Sequence, residues 1–411
     1  MSDMVPSAVE RDSTVLEGRR VCVIYDCLFP LTYGGAERWY RVLTDRLVQA
    51  GATVTYATRQ QWEHQPPIWS GVSIVAVSGA SELYDPEGVR RLTPAVRFGV
   101  GTFNWLRRHR HEYDAVIVAN FPFFSLLAAW VALVGTRIPI FVDFHEVWSP
   151  AYWRAYAGRL AGTVGAGIQH ACIRVTHFAQ VFDQENALRL RKRRFKGDVA
   201  TLAGLLPGGR LAPVATTTPP DNPVVLFVGR HVKHKGVTLL PEILHEARVR
   251  LPNLRMTVVS DGPERQRVES AMFQYGLSDA VVFTGSVSDE ELSHYFATAS
   301  CTVVPSFREG YGIVVAESVA AGTPVVVAKN PENLSTSLVI QGVNGFVVDP
   351  SPRAMAEGIV TAIEAGSPLR RSAAEWSTQH SHLNSIHRSA DQMVTRLATH
   401  ARASNLRDGS K

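Results

Sequence analysis

Val224-Val225-Leu226-Phe227-Val228-Gly229-Arg230 is an apolar run that stops at a glycine and an arginine, and with it a pattern already used once in the chain begins again. An apolar run of this length reads as a buried strand of a parallel sheet. Further runs follow at 256–260, 281–284, 301–304, 324–327 and 346–348, with helical segments between them. Upstream, the same alternation passes through 21–25, 53–57, 74–77, 115–119 and 138–143, with a sixth candidate at 178–182. Strands that alternate with helices need crossover connections, so each series predicts a mostly parallel sheet covered on both faces. The fold class is α/β, with two Rossmann-like, doubly wound domains. Their strand carboxyl ends are expected to face a central cleft, where ligands of open α/β sheets bind.

Between the two series lie the basic run at 189–196 and a stretch rich in Pro, Gly and Thr at 207–223, which reads as an interdomain linker. The expected organisation is a disordered tail at 1–18, an N-terminal domain at 19–206, the linker at 207–223 and a C-terminal domain at 224–370. Residues 371–411 are expected to form a C-terminal helix that packs back toward the N-terminal domain and ends in a polar tail.

The chain has 411 residues, 45% of them hydrophobic and 19% charged, which fills cores of ordinary size and excludes a disordered or fibrous chain. A net charge of +5 favours anionic ligands, yet falls short of the charge density of a nucleic-acid binder, so no nucleic-acid partner is expected. Cys22, Cys27, Cys172 and Cys301 form no C-x-x-C pair, which argues against a zinc site or a disulfide framework and for reduced thiols in a cytoplasmic protein. The first eighteen residues have no apolar core of a secretory signal, and the most apolar stretch, 121–134, is too short to span a bilayer and reads as a buried helix.

Four segments could carry chemistry. Gly34 and Gly35 follow the first strand and open an amphipathic helix bearing Trp39, Val42, Leu43 and Leu47. Paired glycines at a helix N-terminus let backbone N–H groups approach an anion such as a diphosphate, although a tight turn without a ligand needs the same residues. Arg230 and Lys235 sit just past the 224–228 strand, placed either to meet negative charge or to remain solvated loop cations. In Val304-Pro305-Ser306-Phe307-Arg308-Glu309-Gly310-Tyr311-Gly312-Ile313, Glu309 lies in a glycine-containing turn, and Glu317 follows in an apolar helix. Carboxylates there suit the vicinal hydroxyls of a sugar and a ribose; on the plainer reading Glu317 simply points to solvent. His145, at the end of the fifth strand, is by itself as well explained by structure as by function.

In their order these segments resemble the family 4, group 1 retaining glycosyltransferases of the GT-B fold. The resemblance rests on G-R-x4-K-G at 229–236, D-G-P-E at 261–264, F-x-G-x-V-S-D-E-E-L at 283–292, P-S-x2-E-G-x-G at 305–312, G-x-P-V-V at 322–326 and G-V-N-G-F at 342–346. It implies a hexosyl transfer from a nucleoside-diphosphate sugar to an acceptor hydroxyl, with no cofactor and no metal, the acceptor being bound by the N-terminal domain at 19–206 and the nucleotide sugar by the C-terminal domain at 224–370. Arg230 and Lys235 would neutralise the donor diphosphate, Glu309 would contact the hexose and Glu317 the ribose hydroxyls. The backbone of Gly310, Tyr311, Gly312 and Ile313 would bind sugar and phosphate, and Gly285, Ser286 and Val287 would flank the nucleobase. Gly34 and Gly35 match the glycine loop near the diphosphate, and His145 matches a histidine beside the reacting sugar.

Two departures stand out. The G-G-x-x-E that commonly follows the 324–327 strand is replaced by 328–337, with Ser337 in place of the acid, and the N-G-V-D stretch before the linker is missing. The acceptor is left open among a glycan, a lipid-linked acceptor and a small molecule. An aromatic cluster (Trp148, Tyr152, Trp153, Tyr156) and the arginines at 90, 91, 97, 107, 108 and 110 admit a peripheral contact with an acidic membrane surface, against the plainer readings of core packing and a solvated face. A nucleotide-sugar 2-epimerase and a non-catalytic nucleotide-sugar binder remain the alternatives.

Overall fold

The computed structural model describes residues 15–85, 90–206, 222–381 and 384–408, and the chain divides into two compact units. Unit 1 comprises the described residues of 1–83, 90–205 and 385–411; unit 2 comprises those of 84–89 and 206–384.

Unit 1 runs β1 (Arg20–Ile24), α1 (Gly35–Gln49), β2 (Thr53–Arg59), β3 (Val72–Ser78), α2 (Leu92–His109), β4 (Ala115–Ala119), α3 (Phe124–Leu133), β5 (Ile140–Phe144), α4 (Pro150–Ala157), α5 (Arg159–Val175), β6 (Phe178–Val181), α6 (Gln184–Lys192) and β7 (Asp198–Thr201). Its strands form one parallel sheet in the order β3-β2-β1-β4-β5-β6-β7. The winding direction reverses between β1 and β4. Because β-α-β crossovers are right-handed, helices before and after that reversal cover opposite faces of the sheet. β7 escaped the sequence reading because Asp198-Val199-Ala200-Thr201 has neither an apolar run nor a strong alternation.

Unit 2 continues with β8 (Val224–Val228), α7 (Leu240–Arg250), β9 (Arg255–Val259), α8 (Arg265–Gln274), β10 (Val281–Gly285), α9 (Asp289–Thr298), β11 (Cys301–Val304), β12 (Arg308–Glu309), α10 (Ile313–Ala320), β13 (Val325–Ala328), β14 (Glu332–Asn333), β15 (Gly345–Val348), α11 (Pro352–Glu364) and α12 (Gly366–Ser381). Six of these strands form a parallel sheet in the order β10-β9-β8-β11-β13-β15, and β12 pairs with β14 alone. The reversal here falls between β8 and β11. Near-continuous burial of β8, β11 and β13 is what strands covered on both faces require.

Two expectations on organisation need revision. Residues 15–18 are not part of a loose tail: they turn so that Leu16 is buried and its N–H donates to Ala50 O at 2.9 Å. The stretch at 371–411 is not one helix: it holds most of α12 and, after it, a separate last helix. Of these α12 belongs to unit 2, packed on α10 and tied by Arg370, whose buried guanidinium donates to Ala297 O and Ala299 O. The last helix, α13 (Ile386–Asp408), belongs to unit 1. It packs on α1, with Arg46 bonded to Asp391, and Arg396 donates to Ala179 O and to the carboxylate of Asp198. Residues 1–14, 207–221 and 409–411, which hold most of the expected tails and linker, lie outside the described residues.

The 121–134 segment contains α3, whose Leu126, Ala129 and Leu133 are buried while Trp130, Val131 and Val134 are exposed. No described helix is long and apolar enough to cross a membrane. The aromatic cluster is mostly packing. Trp148 and Trp153 are buried with ring centroids 4.6 Å apart, and Gln169 of α5 bonds both of their indole neighbourhoods through Trp148 N–H, Trp148 O and Trp153 Nε1.

Candidate active site

In unit 2, the predicted residues gather at the carboxyl ends of β8, β10 and β11. β8 runs out at Gly229, and the chain then passes through Arg230 and His231. His231 is fully buried; its N–H donates to Asp261 O at 2.9 Å and its carbonyl accepts from Glu264 N–H at 2.9 Å, which clamps the loop after β8 to the loop after β9. Gly262 is obligatory in this clamp. Its φ is +155°, and a Cβ there would stand 2.7 Å from the carbonyl oxygen of His231.

Lys235 closes a short helical turn and is followed by Gly236 in the left-handed region at φ +70°, where a Cβ would meet Pro305 O at 2.1 Å. That contact presses the loop after β8 against the loop after β11, and Phe307 N–H donates to His234 O at 2.8 Å across the same seam. The seam lies at the reversal of strand order, the place where open α/β sheets leave a crevice. Lys235 Nζ bridges it to Glu309 Oε1 at 2.6 Å, and Ser306 Oγ donates to the same oxygen at 2.9 Å. Both partners of the pair are mostly buried, at 25% and 12% side-chain exposure, so this ion pair is held away from the screening that weakens surface pairs.

His234 is a participant that the sequence reading passed over. Burial, followed by the charges of Arg308, Lys235 and Arg230, pushes its pKa down to about 2. A neutral imidazole among three cations marks a strongly positive pocket. Arg308 Nη2 lies 3.4 Å from His234 Nε2. Arg308 was quoted in the sequence reading only as a neighbour of Glu309; its register beside Glu309 in β12, paired with Glu332 in β14, is what turns it into the site. Arg230 is exposed, with its guanidinium 4.0 Å over the Tyr84 ring.

Next to these cations begins α10. Its N-cap is Gly312 at φ +87°, where a Cβ would stand 2.1 Å from Ser335 Cβ, so the loop of 328–337 that departs from the family pattern presses directly on the helix start. No side chain caps this N-terminus. Its N–H groups and the helix dipole therefore add to the positive field. Glu317, in the second turn, is buried at 7% exposure, which overturns the reading of a carboxylate pointing to solvent. Ser337 bonds the carbonyl of Leu334 and closes its own turn. Gly285 ends β10 and Ser286 and Val287 follow it, with Gly285 O accepting from Ser260 N–H at 2.8 Å and the φ of Gly285 at +69°. Gly310 and Tyr311 lead from β12 into the α10 start at Ile313.

Gly34, Gly35 and His145 lie in unit 1, so the structure divides the predicted set between the two units. His145 follows β5, stacked on Phe182 at 5.0 Å with rings 7° from parallel and edge-on to Tyr40 at 5.9 Å. Burial lowers its pKa to about 4, so it is a neutral imidazole at physiological pH, and its buried Nε2 has no protein partner. Asp143, two residues earlier, is fully buried; burial raises its pKa to about 6, against the bond it accepts from Trp39 Nε1 at 2.8 Å.

At Gly34, a Cβ would stand 2.3 Å from Glu37 Oε2, so the chain's own carboxylate lies beside the start of α1. An acid in the first turn interacts favourably with a helix N-terminus. Among the described residues no cluster of His, Cys, Asp and Glu forms a metal site, and all four cysteines are buried free thiols.

Residues 212–380 match the family model for glycosyl transferases group 1. A D-inositol 3-phosphate glycosyltransferase of Acidothermus cellulolyticus is 34% identical over 34% of this chain and 33% of its own length. With relatives at that level of identity, the chain spans only about a third of their length. A GDP-mannose-dependent alpha-(1-6)-phosphatidylinositol monomannoside mannosyltransferase of Mycobacterium tuberculosis is 27% identical over 85% of this chain and 91% of its own. Among solved structures, sucrose-phosphate synthase from Thermosynechococcus elongatus superposes with a TM-score of 0.77 over 94% of this chain and all of that one, at 22% identity. The shared fold is GT-B, as the sequence led us to expect.

Proposed function

The chain belongs to the group 1 glycosyltransferases, and on that footing we propose that it is a retaining, metal-independent enzyme that moves a hexosyl group from a nucleoside-diphosphate sugar to an acceptor hydroxyl. The observation that carries this reading is the Lys235–Glu309 bridge across the β8/β11 reversal, set beside a neutral His234 ringed by Arg308, Lys235 and Arg230. Breaking a glycosyl–phosphate bond leaves charge on the departing diphosphate. Fixed cations and an uncapped helix start, in place before the reaction, stabilise that charge in the transition state more than in the ground state.

In this reading, the bond from the sugar's anomeric carbon to the phosphate oxygen breaks while the bond to the acceptor oxygen forms on the same face. The acceptor's proton passes to the leaving phosphate oxygen. Lys235 then has two duties: it balances Glu309 in the empty site and turns to the diphosphate when the hexose hydroxyls take over the carboxylate. Glu317 holds the ribose, and Gly285, Ser286 and Val287 flank the base. His145, a neutral ring, fits the family's orienting histidine rather than a cation. The named relatives, one of them GDP-mannose-dependent, support a nucleoside-diphosphate donor and a glycan, lipid-linked or small-molecule acceptor.

Thermal unfolding against UDP, GDP, ADP and TDP and their sugars, without added metal, tests the donor half. A ligand at a hundred times its Kd stabilises by about 2.7 kcal/mol, so one base should separate from the rest. The shift should vanish in Lys235→Ala. Donor consumption that needs no acceptor and inverts a sugar centre would replace transfer with epimerisation, and no shift with any nucleotide would remove the donor site altogether.

A further inference from the structure

Beyond the reaction, unit 1 carries a surface of a different kind. Helices α2, α3, α4 and α5 contain not one Asp or Glu. Acids make up 37 of the 411 residues, so helices of this combined length would ordinarily hold about four or five. Their basic residues include Arg97, Arg107, Arg108, Arg154, Arg159 and Arg174, and all six are exposed. The helices are contiguous: α2 packs along α3, α3 touches α5 and α4 packs on α5. They follow the reversal of strand order, whereas α1, which carries Glu37 and Asp45, precedes it and packs with α13. By the handedness of the crossovers, the four acid-free helices lie on one face of the sheet, beside α6, whose Glu185 pairs with its own Arg189, and α1 lies on the other.

This face is also apolar where a solvated one would not be. Leu92, Val96 and Val100 repeat every four residues and form one exposed stripe along α2, with Leu92 at 65%. Trp130, Val131 and Val134 are exposed on α3, and Leu160, at 87%, and Val164 on α5. At the end of the same face, where α2 and α3 finish, Arg20, Arg110, His111 and Arg137 line a recess of about 420 Å³ together with Asp114, which pairs with Arg20.

We propose that the arginine-bearing and aliphatic surface of these four acid-free helices of unit 1 docks on the surface of an anionic lipid bilayer, with the aliphatic stripe and Trp130 entering the headgroup boundary and the arginines meeting lipid phosphates. Its charge is complementary to such a surface, and exposed Leu, Val and Trp gain by burial among acyl chains. A nucleic acid offers the charge but nothing for the aliphatic stripe, since its interfaces are polar and wet. A second copy offers apolar area but brings the same arginines against themselves.

The test is flotation of the full chain with vesicles of phosphatidylcholine alone and with about 30% phosphatidylglycerol. Binding is expected only to the acidic vesicles and should weaken as salt rises. Near an acidic surface each cation is worth about fivefold in partitioning, so Arg97→Gln with Arg108→Gln should lower binding about thirtyfold. Val100→Ser with Trp130→Ser should lower the binding that persists at high salt, and Arg267→Gln, an exposed cation of unit 2, should change nothing. All variants should keep the nucleotide-induced thermal shift, so failure here is distinct from failure of the donor site. Equal binding to both vesicle types, indifference to the two double variants, duplex binding in place of vesicle binding, or a dimer that Val100→Ser dissolves would each overturn the proposal.

Discussion

The two units are wound alike and reverse at corresponding places, between β1 and β4 in one and between β8 and β11 in the other, yet the residues beside the reversals are charged oppositely. In unit 2 the loops bring Lys235, Arg308 and Arg230 around His234. Unit 1 has acids there instead: Asp26, nearly fully buried and paired with Arg90, in the loop after β1, and Glu37 in the first turn of α1. Topology therefore supplies the crevice, and a few residues decide which ligands it tolerates.

The strongest way to break this comparison is to remove the cation that defines it. Lys235→Ala should lower turnover about 10²- to 10³-fold with an acceptor in hand, the range seen when one fixed donor to a developing anion is lost, measured as kcat against wild type. Glu309→Gln should lose transfer with a smaller effect on nucleotide binding. If both variants kept wild-type rates, the positive crevice would not be the donor site.

Backbone substitutions come next. Gly312→Ala must leave the left-handed region and displace Ser335 Cβ, so unit 2 should lose about 3 kcal/mol or more in denaturant unfolding. Acid should then separate the units by sign. Below about pH 6.5 the unfolded chain takes up protons that His234 refuses down to about pH 2, so unit 2 loses stability as pH falls. In unit 1, His145 acts the same way down to about 4, but Asp143 binds its proton in the folded state from about 6, which offsets that loss. Hydrogen exchange between pH 6.5 and 4.5, corrected for intrinsic rates, should show β8 and β11 losing protection before β1 and β5.

The smallest effects concern helix starts. Ser288 accepts from Glu291 N–H and forms a capping box on α9, so Ser288→Ala should cost about 1 kcal/mol. Gly34→Ala should cost less. Its backbone is extended at φ 178°, and the added Cβ meets only the mobile tip of Glu37.

Much of this was legible in the sequence, and what was not has particular reasons. Buried parallel strands announce themselves as apolar runs, so both series and their order could be read directly; β7, β12 and β14, short and polar, could not. Lys235 and Glu309 were read as separate contributors to a ligand, because nothing in a linear spacing of 74 residues says that they touch. His234 was hidden by its basic neighbours, which look like a solvated run until burial is known. The nearness of Glu37 to Gly34 was hidden as well: the residue types suggest an anion cradle, and only three-dimensional placement brings the carboxylate of Glu37, three residues on, beside Gly34.

The return of α13 to unit 1 sets the order in which the protein can be built. Ala390, Met393, Val394 and Leu397 are buried in a unit whose other members precede residue 206. At about 5–20 residues per second, a ribosome needs roughly 10–40 s to deliver the intervening segment. Throughout that interval the earlier unit waits with the seat of its last helix open, while the later one emerges whole. Nascent chains stalled before residue 386 should therefore present a unit 1 that proteases and chaperones still recognise as unfinished.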